Sequence, residues 1–245
     1  MKNSIKYILQ KLIGFRRYLM LFAHYKIITI LKDKKESDFF LFLKLLKNPD
    51  SLLDIGANIG IMTVHMSQKF PKATIHAFEP MPDNLATLKR IIIRYKLNNV
   101  ILHEIALGKE PGKVKMVLPQ QGKTKMQGLS HVVHDSIQEW NEGEQIEVEC
   151  STLDNEFPEM IVQGIKLDVE NFEYFVLLGG KKLIERSQPI IYTELWDNEN
   201  RQLCFEFFNE LNYSAHVVVE NRLVEYNKAT HTHQNFIFLS STYEK

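Results

Sequence analysis

From about residue 50 onward, the chain alternates short apolar runs with longer amphipathic stretches. The apolar runs fall at 51–55, 74–78 and 100–107, and two stretches with helical character separate them, at 59–70 and 82–95. Short apolar runs bounded by turn residues are typical of buried strands. Because each strand is followed by a helix and then by another strand, the pattern predicts βαβ units and a parallel sheet.

The regular order is interrupted at 108–150 and then resumes. Turn residues open the interruption, and the alternating stretches at 113–117 and 145–150 are typical of exposed strands. We therefore expect 110–150 to form an antiparallel insertion or crossover on the substrate side, and not a separate domain. Beyond it we predict strands at 162–167, 189–195, 215–219 and 235–239, helices at 172–186 and 200–211, and a hairpin-like connection at 221–233.

The overall composition is that of a globular chain. Its 245 residues are 44% hydrophobic, and 30 basic residues balance 30 acidic ones. A net charge of zero argues against a dedicated nucleic-acid-binding protein, which normally has an excess of basic residues. Cys150 and Cys204 lie far apart and outside any Cys–His motif, so we expect neither a disulfide framework nor a structural zinc site. This cysteine usage indicates a reducing cytoplasm.

The first 35 residues differ in charge from the rest of the chain. They hold nine basic residues against Asp33 alone, a net charge of +8, so the remainder carries −8. The apolar run that starts at Tyr18 is too short and too charged to span a bilayer, and a signal peptide fits poorly. We expect 1–48 to be a basic helical extension packed on the domain or on a partner. The alternative is peripheral contact of 1–35 with an anionic membrane surface.

Candidate chemistry follows three of the predicted strands, where ligands bind to open parallel sheets. The first strand runs into the motif D-x-G-x-N-x-G at 54–60, whose glycines allow close approach of a ligand to the backbone. Glu79 ends the second strand, where a carboxylate can accept hydrogen bonds from both hydroxyls of a ribose. Met81 and the strand end at Ala106 and Leu107 are the candidates to enclose an adenine. The sequence therefore predicts a nucleoside pocket.

The glycine pattern limits which nucleoside the pocket would bind. In the NAD fingerprint G-x-G-x-x-G counted from Gly56, the second and third glycines would fall on Asn58 and Ile61. A phosphate-binding P-loop is absent from the sequence as well. D-x-G-x-N-x-G followed by an acidic residue at the next strand end is instead the pattern of S-adenosylmethionine-dependent methyltransferases.

The remaining motifs point to one family. The order of motifs over roughly residues 50–239 closely resembles the FkbM family of methyltransferases, with F-E-P-x-P-x-N and K-x-D-V-E as the specific elements. The chain departs from the family pattern at Asn171, where the family has glycine; asparagine tolerates a left-handed backbone better than most residues. The motifs are Asp54-Ile-Gly-Ala-Asn-Ile-Gly60, Phe78-Glu-Pro-Met-Pro-Asp-Asn84, Ala106-Leu107, Thr152-Leu-Asp154, Ile165-Lys-Leu-Asp-Val-Glu170, and Pro189 with Glu194.

The resemblance implies a fold, a cofactor and a reaction. It implies the class I methyltransferase fold for 49–245, and we predict a mostly parallel seven-stranded sheet with an antiparallel last strand and helices on both faces. It also implies S-adenosylmethionine as methyl donor, with S-adenosylhomocysteine as product, and O-methylation of a sugar hydroxyl in a glycan or natural product. By resemblance, Asp168 and Glu170 lie beside the reaction centre, and the cofactor residues are Asp54, Gly56, Asn58, Gly60 and Glu79.

A sugar hydroxyl is a weak nucleophile, so we expect a positioned base to accept its proton. Our hypothesis is that Asp168 holds the methionine amino group or the acceptor, and that Glu170 or a nearby histidine is the base. His131, with His134 as the alternative, is the histidine candidate, because both lie in a loop that the family places on the substrate side. Glu194 either lines the acceptor site or forms an ordinary ion pair, and Lys166 is expected to pair with a carboxylate.

Several alternatives stay open at this point. Asp54 either contacts the ligand or only ties its loop together. We expect no metal, because the histidine pairs have no third ligand at metal-site spacing. An NAD-dependent oxidoreductase on a related sheet, or a scaffold that binds a nucleoside without catalysis, would share the pocket. The acceptor, either a small molecule or a glycan, and the oligomeric state are not determined.

Overall fold

The structure, a computed structural model, describes residues 2–135, 137 and 140–243. Over these residues the chain forms nine α-helices and thirteen strands. The helices are α1 (Lys2–Ile13), α2 (Phe15–Thr29), α3 (Ser37–Leu45), α4 (Ile61–Lys69), α5 (Pro82–Tyr95), α6 (Leu153–Glu156), α7 (Glu173–Leu178), α8 (Lys181–Ser187) and α9 (Glu199–Glu210). The strands are β1 (Ser51–Ile55), β2 (Thr74–Phe78), β3 (Val100–His103), β4 (Ala106–Leu107), β5 (Gly112–Gln121), β6 (Thr124–Lys125), β7 (His131–Val132), β8 (Gly143–Ser151), β9 (Gly164–Leu167), β10 (Ile190–Glu194), β11 (Tyr213–Val219), β12 (Arg222–Glu225) and β13 (Asn235–Ser240).

The main sheet has the strand order β12-β11-β13-β10-β9-β1-β2-β3. The five strands from β10 to β3 are parallel, and β13 runs antiparallel to both of its neighbours. The predicted α/β fold, with a mostly parallel sheet and an antiparallel last strand, is confirmed. The chain order along the sheet reverses between β1 and β9, so a crevice is expected beyond the carboxyl ends of these two strands.

The predicted number of strands was wrong, because the main sheet has eight strands and not seven. The additional strand is β12, which pairs antiparallel with β11 at the edge of the sheet. Glu220 and Asn221 form the connection with φ of 51° and 61°. Two left-handed residues make the tight turn that suits the twist of a two-strand hairpin, so the chain folds back at once after β11.

Helices cover both faces of the main sheet. Leu52 and Leu53 are consecutive in β1, yet Leu52 packs in a core with Phe42 of α3, and Leu53 in a core with Leu177 of α7 and Phe207 of α9. Side chains of a strand point alternately to the two sides of the sheet, so each strand contributes to both cores. The predicted placement of helices on both faces is confirmed.

The region between β3 and α6 forms a second, smaller sheet. Its main feature is the long antiparallel pair of β5 and β8, which runs from Gly112 opposite Cys150 to Pro119 opposite Gly143. β4 pairs parallel with the end of β8, which ties this sheet to the strand-end region of the main sheet. Met116 and Val132 of this insertion reach the cavity described below.

The N-terminal segment packs on the rest of the chain. Leu19, Ala23 and Ile27 of α2 share a core with Val64 of α4 and Ile91 of α5, and α3 packs on the main sheet. None of the described helices combines the length and the apolar character that crossing a membrane requires.

Candidate functional site

The loop after β1 brings backbone close to the end of β9. Gly56 has φ of 75°, and a Cβ at this position would lie 1.8 Å from the carbonyl oxygen of Asp168. No side chain fits there, so this glycine sets the distance between the two strand ends. Gly60 ends the loop with φ of 85°, and a Cβ there would lie 2.6 Å from Leu88 Cδ1. It lies outside the cavity described below and allows α4 and α5 to pack.

Glu79 connects the loop after β1 with the chain after β2. Its Oε2 accepts a hydrogen bond from the Asn58 backbone N–H at 2.9 Å, and its Oε1 accepts from the Met81 N–H at 2.8 Å and from Asn84 Nδ2 at 3.3 Å. The residue is 4% exposed. Burial raises the pKa of this carboxyl group to about 7, although the three donors act in the opposite direction.

One cavity brings most of the predicted site residues together, and we call it the first cavity. Gly56, Asn58 and Glu79 lie on one side of it, and Asp168 and Glu170 on another. Its apolar wall contains Phe78, Ile105, Ala106, Leu107, Met116, Val132 and Phe172. The arrangement offers a polar edge that accepts hydrogen bonds beside an apolar wall for a planar ring.

Besides Gly60, two predicted cofactor residues do not reach this cavity. Met81 is buried on the far side of Glu79, where it lies with Phe15 and Leu118, and only its backbone N–H acts on the site. Met116 and Ala106 line the wall instead. Asp54 lies entirely inside the protein, and its Oδ2 accepts a 2.6 Å hydrogen bond from the Thr63 hydroxyl. Of the two alternatives for Asp54, the structure therefore favours the structural one, in which Asp54 holds its loop in place and does not contact the ligand.

Lys166 joins the strand ends from within. Its ammonium group donates to the carbonyl oxygens of Gly56 at 2.7 Å and Ile55 at 3.3 Å, and it lies 3.3 Å from Asp54 Oδ1 and 3.6 Å from Asp168 Oδ2. Burial alone would lower the pKa of this group, but the charges of Asp54 and Asp168 outweigh burial and raise it. Lys166 thus stays positively charged and pairs with both aspartates. Pairing of Lys166 with a carboxylate was expected from the sequence.

The turn after β9 is left-handed. Glu170 has φ of 55° and Asn171 φ of 76°, so the expectation that asparagine tolerates this conformation in place of glycine is confirmed. Asn171 Oδ1 accepts a 2.8 Å hydrogen bond from Asn198 Nδ2. Glu173, which no sequence motif indicated, accepts hydrogen bonds from the N–H groups of Val169 and Asn171. It fixes the turn that carries Glu170, and burial raises its pKa to about 8.

A second cavity adjoins the first at Asp168. It is formed by the segment before α3, the end of β10 and the chain leading into β13. Its acidic residues are Glu36, Asp38, Asp168 and Glu194. Glu36 and Asp38 belong to the N-terminal extension, and no motif in the sequence indicated that they reach the site. Glu194 lines this cavity.

The carboxyl groups at this end of the sheet lie close enough to affect one another. Burial raises the pKa of Glu170 and of Glu194, and the neighbouring charge of Asp168 raises both further. Burial also raises the pKa of Glu36 and Asp38. These four carboxyl groups therefore keep their protons to a higher pH than ordinary carboxyl groups, and a cation placed where the two cavities meet would favour their ionised forms.

The structure does not place His131 in either cavity. The residue is buried, its Nδ1 lies 2.8 Å from the Leu129 carbonyl oxygen, and its Nε2 lies 3.1 Å from Asn141 Oδ1. Since both ring nitrogens have partners inside the insertion, His131 is not available as a base, and this candidate is corrected. Among residues 2–135, 137 and 140–243, no group of three metal-ligating side chains comes together.

The sequence is similar to a family of known enzymes. Residues 54–231 match the family described as the methyltransferase FkbM domain. Methyltransferase 1 of Beauveria bassiana is 30% identical over 142 residues, which are 52% of this chain and 57% of that protein. The 2-O-methyltransferase NoeI of Sinorhizobium fredii is 31% identical over 168 residues, which are 64% of this chain and 68% of that protein.

The fold has a solved counterpart. The crystal structure of methyltransferase FkbM from Methylobacillus flagellatus aligns with a TM-score of 0.53 at 15% identity, and the alignment covers 80% of this chain and 45% of that one. The predicted class I methyltransferase fold is therefore confirmed.

Proposed function

Because the chain belongs to the FkbM methyltransferase family, we propose that it transfers a methyl group from S-adenosylmethionine to a hydroxyl oxygen of a carbohydrate. The observation that supports this most directly is the meeting of the two cavities at Asp168. A transfer reaction needs donor and acceptor side by side, and the fold provides a separate space for each. The relative NoeI is named as a 2-O-methyltransferase, which favours oxygen as the acceptor atom.

The first cavity fits the adenosine part of the donor. Glu79 Oε1 already accepts two hydrogen bonds from the protein and Oε2 accepts one, so Oε2 has a further lone pair for a ribose hydroxyl. The apolar wall around Ala106 and Met116 suits an adenine ring, and the Asn58 side-chain oxygen is buried there with no hydrogen-bond partner among the residues that the structure describes. When bound, S-adenosylmethionine supplies a methyl group on a positively charged sulfur.

Two carboxyl groups that line the first cavity suit the positive charge of the donor's sulfur. Asp168 is held by Lys166, and Glu170 follows it on the left-handed turn. A cation beside Glu170 lowers the pKa of its carboxyl group, because an opposite charge favours the ionised form. We propose that Asp168 binds the amino group of the donor or a hydroxyl of the acceptor, and that Glu170 stabilises the charged end of the donor.

The second cavity suits a neutral, hydroxyl-rich acceptor. Four acidic residues line it against Lys35 and His233. The acidic residues accept hydrogen bonds from hydroxyl groups, and their excess disfavours a phosphate or a sugar acid. We propose that Glu194 is the base, since it lines this cavity and its raised pKa brings it nearer to neutral pH than an ordinary carboxyl group. In the reaction, Glu194 would accept the proton of the acceptor hydroxyl, and a donor held by Glu79, Asp168 and Glu170 would supply the methyl group to the hydroxyl oxygen.

The experiment that tests this proposal combines binding with turnover. Calorimetric titration of the purified chain with S-adenosylmethionine and with NAD should show binding of the first only. Incubation with methyl-labelled donor and a panel of neutral glycosides, sugar acids and sugar phosphates should label neutral glycosides and form S-adenosylhomocysteine. Binding of NAD in place of the methyl donor would overturn the proposal, and labelling confined to the acidic sugars would overturn the proposed acceptor class.

A further inference from the structure

The helix α2 and the turn that follows it expose an apolar stripe. Leu21, Tyr25, Ile28 and Leu31 are 61%, 63%, 70% and 66% exposed, and we call them the outer stripe. Their spacing of four, three and three residues places them on one side of a helix. Single exposed apolar residues are ordinary, but among the residues that the structure describes, seven of the twelve large exposed apolar side chains fall between residues 8 and 31.

The opposite side of the same helix is buried, so the stripe cannot turn inward. Leu19, Ala23 and Ile27 pack against α4 and α5. Farther along this side, Phe22 and Lys26 line a cavity that extends to Asn58 and Asp168. The helix therefore separates the outer stripe from the neighbourhood of the first cavity. A surface bound to the stripe would lie beside the site.

Basic residues accompany the stripe at both ends. Arg17 precedes it by one helical turn and Lys32 follows it directly, and both are exposed. Neither forms an ion pair with another described residue. They belong to the first 35 residues, whose net charge is +8. An apolar stripe with unpaired basic residues beside it is the arrangement by which helices lie on anionic lipid.

We infer that the outer face of α2 binds an anionic lipid surface, with the outer stripe inserted at the level of the headgroups and Arg17 and Lys32 against lipid phosphates. A second copy of the chain fits this face less well. A two-fold dimer would place the same patch against itself and would oppose the two basic segments. The inference rests on the exposed face alone and does not depend on the proposed reaction.

Vesicle flotation with the full chain tests this inference. The protein should float with vesicles of phosphatidylcholine that contain phosphatidylglycerol, and not with pure phosphatidylcholine vesicles; added NaCl should release it. The double variant Leu21→Ser/Ile28→Ser should reduce the partition coefficient by about tenfold or more, because it removes apolar contact with the lipid. Arg17→Gln/Lys32→Gln should reduce it by about tenfold at low salt.

Matched controls separate the outer stripe from surface effects in general. Ile161→Ser removes an exposed apolar residue elsewhere, and Lys72→Gln removes an exposed lysine outside the basic segment; both should float like the original chain. The affinity for S-adenosylmethionine, measured in solution, should be the same in every variant. Equal flotation of the stripe variants and the controls would overturn the inference, as would a dimer in solution that Leu21→Ser/Ile28→Ser dissociates.

Discussion

The two cavities that meet at Asp168 are built in different ways. The first is formed largely by the ends of adjacent strands, and short contacts such as Glu79 to the Asn58 N–H and Lys166 to the Gly56 carbonyl connect these ends. The second is formed by three segments that are far apart in the chain, near residues 36, 194 and 235. The sheet fixes the shape of a pocket made from neighbouring strand ends. The shape of a pocket made from distant segments changes whenever one of those segments changes.

The acids of the two cavities differ as well. Three donors of the protein hold Glu79 in place. Glu194 faces its cavity beside other acids, and burial and Asp168 raise its pKa. Burial raises the pKa of Glu79 to about 7 as well, so the two acids differ in their hydrogen bonds and not in their pKa. A carboxylate held by three donors suits recognition of a ribose, and one that faces a cavity can accept a proton from an acceptor. We therefore assign binding of the donor to the first cavity and activation of the acceptor to the second.

The largest effect is expected from Glu194→Gln. An amide cannot accept the hydroxyl proton, so kcat should fall by about a hundredfold or more, while Kd for S-adenosylmethionine stays within about threefold. In the original chain, kcat/KM should rise with pH through a pKa above the ordinary carboxyl range, and the variant should lose this dependence.

The control for this prediction is Glu199→Gln, which changes an exposed glutamate a few residues further along the chain. Glu170→Gln tests the other candidate. If Glu170→Gln abolishes turnover and Glu194→Gln does not, the base belongs to the first cavity, and the division between the two cavities is wrong.

The next effect is expected from Glu79→Gln. The amide group would turn its NH₂ toward the N–H of either Asn58 or Met81, which now donate to the carboxylate. Kd for S-adenosylmethionine should rise by about a hundredfold, since buried donors would lose their acceptor. Calorimetry measures this, with Glu104→Gln as an exposed control near the end of the neighbouring strand. An unchanged Kd would show that Glu79 holds the loop after β1 in place and does not bind the ligand.

The smallest effect concerns Glu173, which lies beneath the turn between the two cavities. Its pKa is about 8 in the folded chain and about 4.3 in an unfolded one. The folded state thus holds its proton over a range where the unfolded state has lost it, so stability should decrease as the pH rises from about 4.3 to 8. Glu173→Gln should remove most of this decrease between pH 5 and 9, because the amide group does not titrate.

Urea unfolding at pH 5, 7 and 9 measures this effect in the absence of cofactor. Glu185→Gln, at an exposed position in α8, is the control. A variant whose stability decreases with pH as steeply as that of the original chain would show that the proton on Glu173 does not contribute to the stability of the turn.

Much of the first cavity was predictable from the sequence, because its residues lie at strand ends that the apolar pattern marks. Gly56, Asn58, Glu79, Ala106, Asp168 and Glu170 all line it. The pattern misplaced Met81, since whether a side chain after a strand points into a pocket depends on how the next helix packs. His131 failed for a related reason: its partner Asn141 belongs to a loop whose path the sequence did not reveal.

The sequence by itself determined the order of strands and helices, the left-handed turn at Asn171 and most residues of the first cavity, because these depend on local apolar patterns and on short motifs at the strand ends. Only the tertiary structure brought Glu36 and Asp38 to Glu194, placed Glu173 beneath the turn that carries Glu170 and left one side of α2 exposed. Those arrangements depend on packing between elements that are distant in sequence, and no local pattern of residues encodes which distant surfaces will meet.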